Sequence, residues 1–327
     1  MKLVIIASAV DHGTRAINTS FISKLAPSET YLITDEIREL GLHGFLNLRS
    51  EILRVAKSAD VVLCLHHGAI LASGLFLRHS KQRRLVGIFD WTRQYPSLRR
   101  ERKIRAYAWF LLRILRRFSA VCSPVAGMRD FYAPSIQMQP ILYPLPYPDV
   151  DLESPDLHDD HITRVLFIGA DIQRKGGDIL LRQWQEQAPN TSRLSFVAPE
   201  CPTGEWRHVE FINDIKPFTP EHRKLLENHS VFVLPSHREA YGYAALEALN
   251  FGQVVVTTKN AGISGLVAEA GGIVGKSSED AVRLAMELLQ QPEEIARRRA
   301  ACRSFMAGYE QRFHELIQSA FEGSPSH

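Results

Sequence analysis

Short apolar runs rich in β-branched residues alternate with longer stretches of helical spacing along the chain, and this alternation constrains its fold most. In the first half the runs fall at residues 3–7, 30–33, 61–65, 85–89 and 120–123, with stretches such as 45–58 and 99–118 between them. They resume at 165–168, 194–197, 209–211, 231–234 and 254–257. Near-continuous apolar strands alternating with helices predict parallel sheets covered on both faces. The segment YPLPYPDVDLESPD, residues 143–156, holds four prolines and no periodicity and reads as a linker. The 327 residues fit roughly two domains of about 150 residues each. A final helical stretch, 293–321, either ends the second domain or crosses back onto the first.

With 45% hydrophobic and 23% charged residues, the chain is not of a disordered or collagen-like class. Cys64, Cys122, Cys201 and Cys302 lie far apart without a CxxC pair. That excludes a zinc knuckle, a redox motif and a disulfide scaffold, and fits a reducing cytoplasm. The opening MKLVIIASAVDHG turns polar too soon for a secretory signal, and no run reaches the ~18 apolar residues of a spanning helix. Charge is uneven. Residues 1–150 carry 21 Lys and Arg against 11 Asp and Glu, whereas the remainder carries 18 against 25. A basic half suggests an anionic surface as partner.

Three segments of the second half carry candidate chemistry. In VLFIGADIQRKGGDILLRQW, residues 165–184, a strand ends at Gly169, and Arg174 and Lys175 precede Gly176 and Gly177 at a helix start. Ligands of open parallel sheets sit beyond the carboxyl ends of strands, where these cations would neutralise a diphosphate. A basic surface turn is the alternative. In VFVLPSHREAYGYAALEAL, residues 231–249, a helix opens near Gly242, with Glu239 before it and Glu247 inside it. Amides of Ala240, Tyr241 and Gly242 would offer an anion site at the helix N-terminus. Carboxylates suit vicinal hydroxyls, so Glu239 would hold a hexose and Glu247 a ribose. Alternatively Glu239 only favours the helix dipole and Glu247 is solvated. The third segment, the loop at 260–265, brings glycine backbone toward a base or phosphate, or is a plain connection.

Residues 165–275 resemble the retaining, nucleotide-sugar-dependent glycosyltransferases of the GT-B fold, specifically the large family with the E-x7-E motif, rich in bacterial envelope and exopolysaccharide enzymes. The resemblance rests on Lys175-Gly176, on Glu239 to Glu247 with Gly242 between them, and on LEALNFGQVVV. It implies two Rossmann-like domains whose parallel sheets face a central cleft. Their bounds are 1–148 for the acceptor and 149–305 for the donor nucleotide, with 306–327 a terminal helix. It implies that Lys175 contacts the donor diphosphate, that Glu239 and the amides after it address sugar and phosphate, and that Glu247 binds ribose. Where the family usually writes Gly-Arg, this chain has Gly169-Ala170, so Arg174 is the candidate substitute. Asp149-Val150-Asp151 matches the family's Gly-Val-Asp and is read as structural.

The first half resembles the same family more loosely. VDHGTR, residues 10–15, falls where the family has glycines near the donor phosphate and acceptor; Gly13 takes that role, with His12 and Arg15 beside it. DVVLCLHH looks like a family strand end and offers His67, or His67 is a buried structural histidine. LVGIFDWT sits where the family has His-Asp; with Phe89 at the histidine position, Asp90 is the candidate polar group at the reaction centre, or it caps a helix.

On a helix over 99–118, Arg99, Arg102, Arg105, Arg113, Arg116, Arg117 and Trp109 share about 120° of arc, opposite an apolar face. Such a face presents itself to anionic lipid headgroups, or it is a solvated basic surface. Together these readings predict a metal-independent retaining hexosyltransferase with no cofactor. It takes a nucleotide diphosphate sugar as donor and a glycan or lipid-linked hydroxyl as acceptor, is cytoplasmic and peripheral on the inner membrane face, and binds no nucleic acid. The leaving diphosphate helps take the acceptor proton in the mechanism that the resemblance implies. A GT-B sugar-nucleotide 2-epimerase and a non-catalytic nucleotide-sugar-binding subunit are the alternatives.

Overall fold

The computed structural model describes residues 1–8, 12–33, 41–77, 83–88, 102–132, 135–152, 162–200, 202–213 and 215–322; for 12–16, 41–45, 67, 102–108 and 131–132 it describes the backbone alone. The chain divides into two units, Met1–Pro144 with Gln311–His327, and Leu145–Glu310.

The first unit alternates β1 (Leu3–Ser8), α1 (His12–Leu25), β2 (Glu29–Ile33), α2 (Gly41–Ala56), β3 (Val61–Leu65), α3 (His66–Phe76), β4 (Arg84–Ile88), α4 (Arg102–Leu115), β5 (Ala120–Ser123), α5 (Ala126–Tyr132) and β6 (Gln139–Pro140). Its described strands form a parallel sheet in the order β2-β1-β3-β4-β5-β6. Strands β1, β3 and β5 are buried along their whole length, which is why they read as unbroken apolar runs.

The second unit contains β7 (Thr163–Ile168), α6 (Gly177–Gln187), β8 (Ser192–Val197), β9 (Val209–Ile212), α7 (Pro220–Glu227), β10 (Val231–Leu234), α8 (Tyr243–Asn250), β11 (Val254–Thr258), α9 (Ser264–Glu269), β12 (Ile273–Gly275), α10 (Ser278–Leu289) and α11 (Pro292–Ala307). These strands too are all parallel, in the order β12-β11-β10-β7-β8-β9. Alternate residues of β7, β8, β10 and β11 meet α6 and α10 in one core, where the Phe167 and Phe196 rings stack at 4.4 Å around a fully buried Trp184. Each such side chain contributes about 1.5–3 kcal/mol by burial. The sequence-predicted parallel α/β architecture is therefore the one observed, in both units. The short β6 and β12 escaped prediction because two or three residues display no period.

The expected terminal helix is two helices. α11 ends at Gly308, and α12 (Tyr309–Glu322) follows. Within α11 the buried residues are Ile295, Arg299, Cys302 and Met306; in α12 they include Tyr309, Phe313 and Ile317. Phe313 packs on Phe21 of α1 at 6.0 Å, and Arg84 donates to the Phe321 carbonyl at 2.8 Å, so α12 closes the core of the first unit. The proline-rich stretch is no loose tether. Tyr143 lies fully buried against Phe21, and Tyr147 is buried in the second unit against Phe251.

Candidate functional site

In the second unit the strand order reverses between β7 and β10, so a crevice opens beyond Ile168 and Leu234. The two loops leaving those strands are locked together. Gly176 holds φ +71°, and a Cβ there would stand 2.2 Å from the Pro235 carbonyl oxygen, so only glycine fits. The His237 amide donates to the Arg174 carbonyl at 3.0 Å. From the β11 side, Thr257 Oγ1 and Thr258 Oγ1 donate to the carbonyls of Leu234 and Ser236 at 2.9 and 2.7 Å. The loop at 260–263 runs alongside. Glu239 N donates to Asn260 O at 3.3 Å, and Ile263 N donates to Tyr241 O at 2.8 Å. That loop is thus a brace for Glu239.

Charge gathers where the loops meet. Lys175 Nζ lies 2.6 Å from Glu239 Oε2, with both side chains mostly buried. Arg174 donates to the same Oε2 at 3.3 Å, to Asp171 Oδ2 at 3.2 Å and to the Arg238 carbonyl at 3.1 Å. Its guanidinium ties the loops together, which occupies the group expected to replace the missing arginine at Ala170. Glu247 points inward from α8 and is 5% exposed. It is not a solvated face residue. Burial pushes its carboxyl up to about 8, against a smaller lowering by the charge of Lys175. Lys175 therefore stands close enough to act on both glutamates.

Gly242, at φ +102°, is the N-cap of α8, and the helical amides begin at Tyr243. Ala240, exposed, and Tyr241, buried, precede the helix in the braced loop. Beyond Glu247 lies a pair that the motif reading missed. His222 Nε2 is 3.9 Å from Glu247 Oε2, and His222 Nδ1 is 2.6 Å from the Tyr147 hydroxyl. Although 3.9 Å is within ion-pair reach, burial pushes His222 down to about 4 while it raises Glu247, so the ligand-free contact joins neutral groups at neutral pH. The sequence gives one faint signal, a histidine in the polar first turn of TPEHRKL. A cavity of about 580 Å³ lies elsewhere, at the amino ends of β7, β8 and β9 beside Arg164, Arg193 and His208, away from these charges.

The first unit has its own reversal, between β1 and β3. There His66 opens α3 at φ +67°, a left-handed conformation uncommon outside glycine. Its Nε2 meets Asn18 Oδ1 at 3.0 Å, Asn18 donates to the Ser8 carbonyl at 3.3 Å, and the Ala69 amide donates to Ser8 Oγ at 3.3 Å. Neighbouring His67 has only its backbone described, at the start of α3. His12, Gly13 and Arg15 fall in the first turn of α1, their side chains outside the described residues, as are Phe89, Asp90 and Arg99 altogether.

Helix α4 spans Arg102–Leu115; it ends before the predicted 118, residues 99–101 lie outside the described residues, and so do the side chains of Arg102 and Arg105. Leu111, Ile114 and Leu115 are buried; Trp109 is 63% exposed, Phe110 38%, and Arg113 lies over the Trp109 ring at 5.5 Å. Arg116 is exposed. Arg117 instead turns to the end of α3, donating to the Gly74 and Leu75 carbonyls at 2.7 and 3.3 Å, because unpaired helix C-terminal carbonyls attract a cation. Among the described residues no helix is long and apolar enough to cross a membrane.

Residues 203–304 match the family described as glycosyl transferases group 1. No curated protein sequence matches the chain. Among solved structures, Anabaena Alr3699/HepE, crystallised with UDP and glucose, superposes with a TM-score of 0.69 at 15% identity over 98% of this chain and all of its own. WaaG, a glycosyltransferase involved in lipopolysaccharide biosynthesis, gives 0.64 at 16% identity over 98% of each chain. Trehalose-6-phosphate synthase OtsA gives 0.72 at 10% identity, covering 98% of this chain and 99% of its own. The chain thus has the GT-B fold, and its stretch from 203 to 304 is similar to glycosyl transferases group 1.

Proposed function

We propose that this protein is a retaining hexosyltransferase that uses a nucleotide diphosphate sugar. One observation carries the reading: Lys175 sits 2.6 Å from Glu239 and its charge also acts on Glu247, so one cation suited to a diphosphate is near both carboxylates that we read as holding sugar and ribose. The anomeric bond to the diphosphate breaks, the acceptor oxygen takes its place, and the acceptor proton passes to the departing diphosphate. Lys175 and the α8 N-terminus stabilise the charge that grows there, which calls for no metal. UDP, found with HepE, is the first nucleotide to try. A nucleotide-sugar-binding subunit without catalysis is the second reading. Ala170 and the engaged Arg174 favour it: Ala170 carries no charge and the Arg174 guanidinium is turned to Asp171 and Glu239, which leaves Lys175 and the exposed Arg238 as the other Lys or Arg side chains among the described residues of the two loops.

A thermal-shift panel of UDP, GDP, ADP and their sugars tests the site. One nucleotide class stabilises the wild type by several degrees, and Glu247→Ala loses most of that shift. Equal shifts in both proteins would overturn the ribose role of Glu247. Transfer or hydrolysis of the sugar separates the enzyme from the binding subunit.

For the acceptor side, the reading is a glycan or lipid-linked hydroxyl in cell-envelope synthesis, at the inner membrane face. Exposed Trp109 and Phe110 beside Arg113 and Arg116 suit anionic headgroups. Sedimentation with phosphatidylglycerol vesicles is the check: the Trp109→Ala, Arg113→Ala protein loses binding several-fold, and unchanged binding removes this face as the anchor.

A further inference from the structure

A carboxyl group serves a vicinal diol best as an anion, because both hydroxyls can then donate to it. Glu247, buried on α8, lacks water to stabilise that anion. The groups that face it are Lys175 from the β7 loop, His222 from α7 and, behind the histidine, Tyr147 with Arg223 beside its ring.

His222 is fixed from several sides. Its amide donates to Thr219 Oγ1, the N-cap of α7, at 3.3 Å, and its ring lies nearly parallel to Tyr147. The Tyr147 amide is held by Asn250 Oδ1 at 2.9 Å, one turn beyond Glu247 on the same helix. The hydrogen bond of 2.6 Å between the Tyr147 hydroxyl and His222 Nδ1 couples the direction of the bond to the tautomer. Burial holds the phenol above its ordinary pKa, with the charge of Glu247 adding to the effect, so the hydroxyl keeps a proton that it can donate. With the hydroxyl donating, Nδ1 is the acceptor, and the proton of the neutral ring resides on Nε2, the atom 3.9 Å from Glu247.

We propose that His222, oriented by Tyr147, is a positioning residue for Glu247, presenting an Nε2–H that stabilises the carboxylate when it accepts the two ribose hydroxyls of a nucleoside diphosphate. Resting at 3.9 Å, the contact is longer than a hydrogen bond. A closure of about 1 Å as the carboxyl ionises converts it into a charge-assisted one. The inference rests on the ribose role proposed above for Glu247.

The experiment is calorimetric titration of the full-length protein with UDP, GDP and ADP between pH 7 and 9, above the range in which their phosphates titrate; the tightest of the three is carried through the variants. The wild-type affinity rises roughly tenfold across that range as the Glu247 proton, released at about 8, ceases to compete. His222→Asn and Tyr147→Phe shift this rise toward higher pH and weaken binding at pH 7.5 by roughly tenfold, consistent with loss of one charge-assisted bond. His222→Gln, which returns an N–H near the Nε2 position, keeps both the midpoint and the affinity. The 2′-deoxy nucleotide binds all these proteins weakly and nearly equally.

A wild-type affinity flat with pH means that Glu247 holds ribose as the acid, and overturns the inference. So does a His222→Asn protein with unchanged midpoint, even if its thermal stability falls, because a purely structural histidine moves stability alone. Failure of the underlying reading looks different: Glu247→Gln binds as tightly as the wild type, or none of the three nucleotides binds.

Discussion

The two units use one sheet plan, and their described side chains equip its crevice in opposite ways. Beyond β7 and β10 the described side chains are ionic: Lys175, Arg174, Asp171 and Glu239 within 3.3 Å contacts, and Glu247 buried beneath. Beyond β1 and β3 they are Ser8, Asn18 and His66, joined by bonds of 3.0 to 3.3 Å with no carboxylate or ammonium among them. A diphosphate brings charge that only opposite charge or oriented amides can offset, whereas a hydroxyl needs a donor and an acceptor held in place. The difference teaches that position on the fold supplies a crevice, and residue chemistry decides what enters it.

The largest expected effect breaks the comparison on its charged side. Lys175→Ala removes the cation whose charge acts on both glutamates and leaves Glu239 with Arg174 alone. Affinity for the stabilising nucleotide falls about 100-fold, ~2.7 kcal/mol, by calorimetry, while melting without nucleotide changes little. Affinity within threefold of wild type would show that the phosphates do not lie at Lys175.

Much of this site was legible in the sequence, for a physical reason. Residues 231–234 and 254–257 had to be strands because both faces are covered, and the glycines at 176 and 242 announced turns that no side chain tolerates. Glu239 and Glu247 stood out only through that framing. The remainder depended on closure in three dimensions. Nothing local in YPLPYP or TPEHRKL indicates that Tyr147 and His222 meet behind Glu247, since 75 residues separate them. For Arg174 the sequence indicated proximity to the crevice and not direction: its guanidinium is turned to Asp171, Glu239 and the Arg238 carbonyl. Arg117 fitted the basic arc of a longer helix, but α4 stops at Leu115 and the side chain follows another helix's end.

A middle-sized effect tests the described cluster of the first unit. His66→Ala leaves Asn18 Oδ1 without its partner in a buried site and keeps an alanine at φ +67°, where the strain remains. Loss of a buried hydrogen bond costs about 1–3 kcal/mol, so the melting temperature falls by several degrees. Nucleotide affinity stays within twofold, because the cluster lies in the other unit. A large drop in that affinity would mean the two crevices are not independent.

The smallest effect sharpens the contrast through pH. Glu247 is an acid raised from 4.5 to about 8, so the folded state keeps a proton that the unfolded chain has lost; its contribution is complete below 4.5 and disappears as pH climbs through 8. His222 is a base lowered from 6.5 to about 4, so its contribution is complete above 6.5 and disappears as pH drops through 4. Between 4.5 and 6.5 the two slopes oppose, and above 6.5 only the carboxyl still changes. Stability of the ligand-free protein should therefore decline by roughly 1–2 kcal/mol from pH 6.5 to 8.5. Glu247→Gln, isosteric and without a proton to lose, should flatten that decline and unmask the His222 rise between pH 4.5 and 6.5, while leaving the response below 4.5 unchanged. Hydrogen exchange corrected for intrinsic rates would place the loss in residues 145–310. A decline of equal size in the Glu247→Gln protein would assign it to other groups, and the buried carboxyl would then have no claim to set the pH response of its crevice.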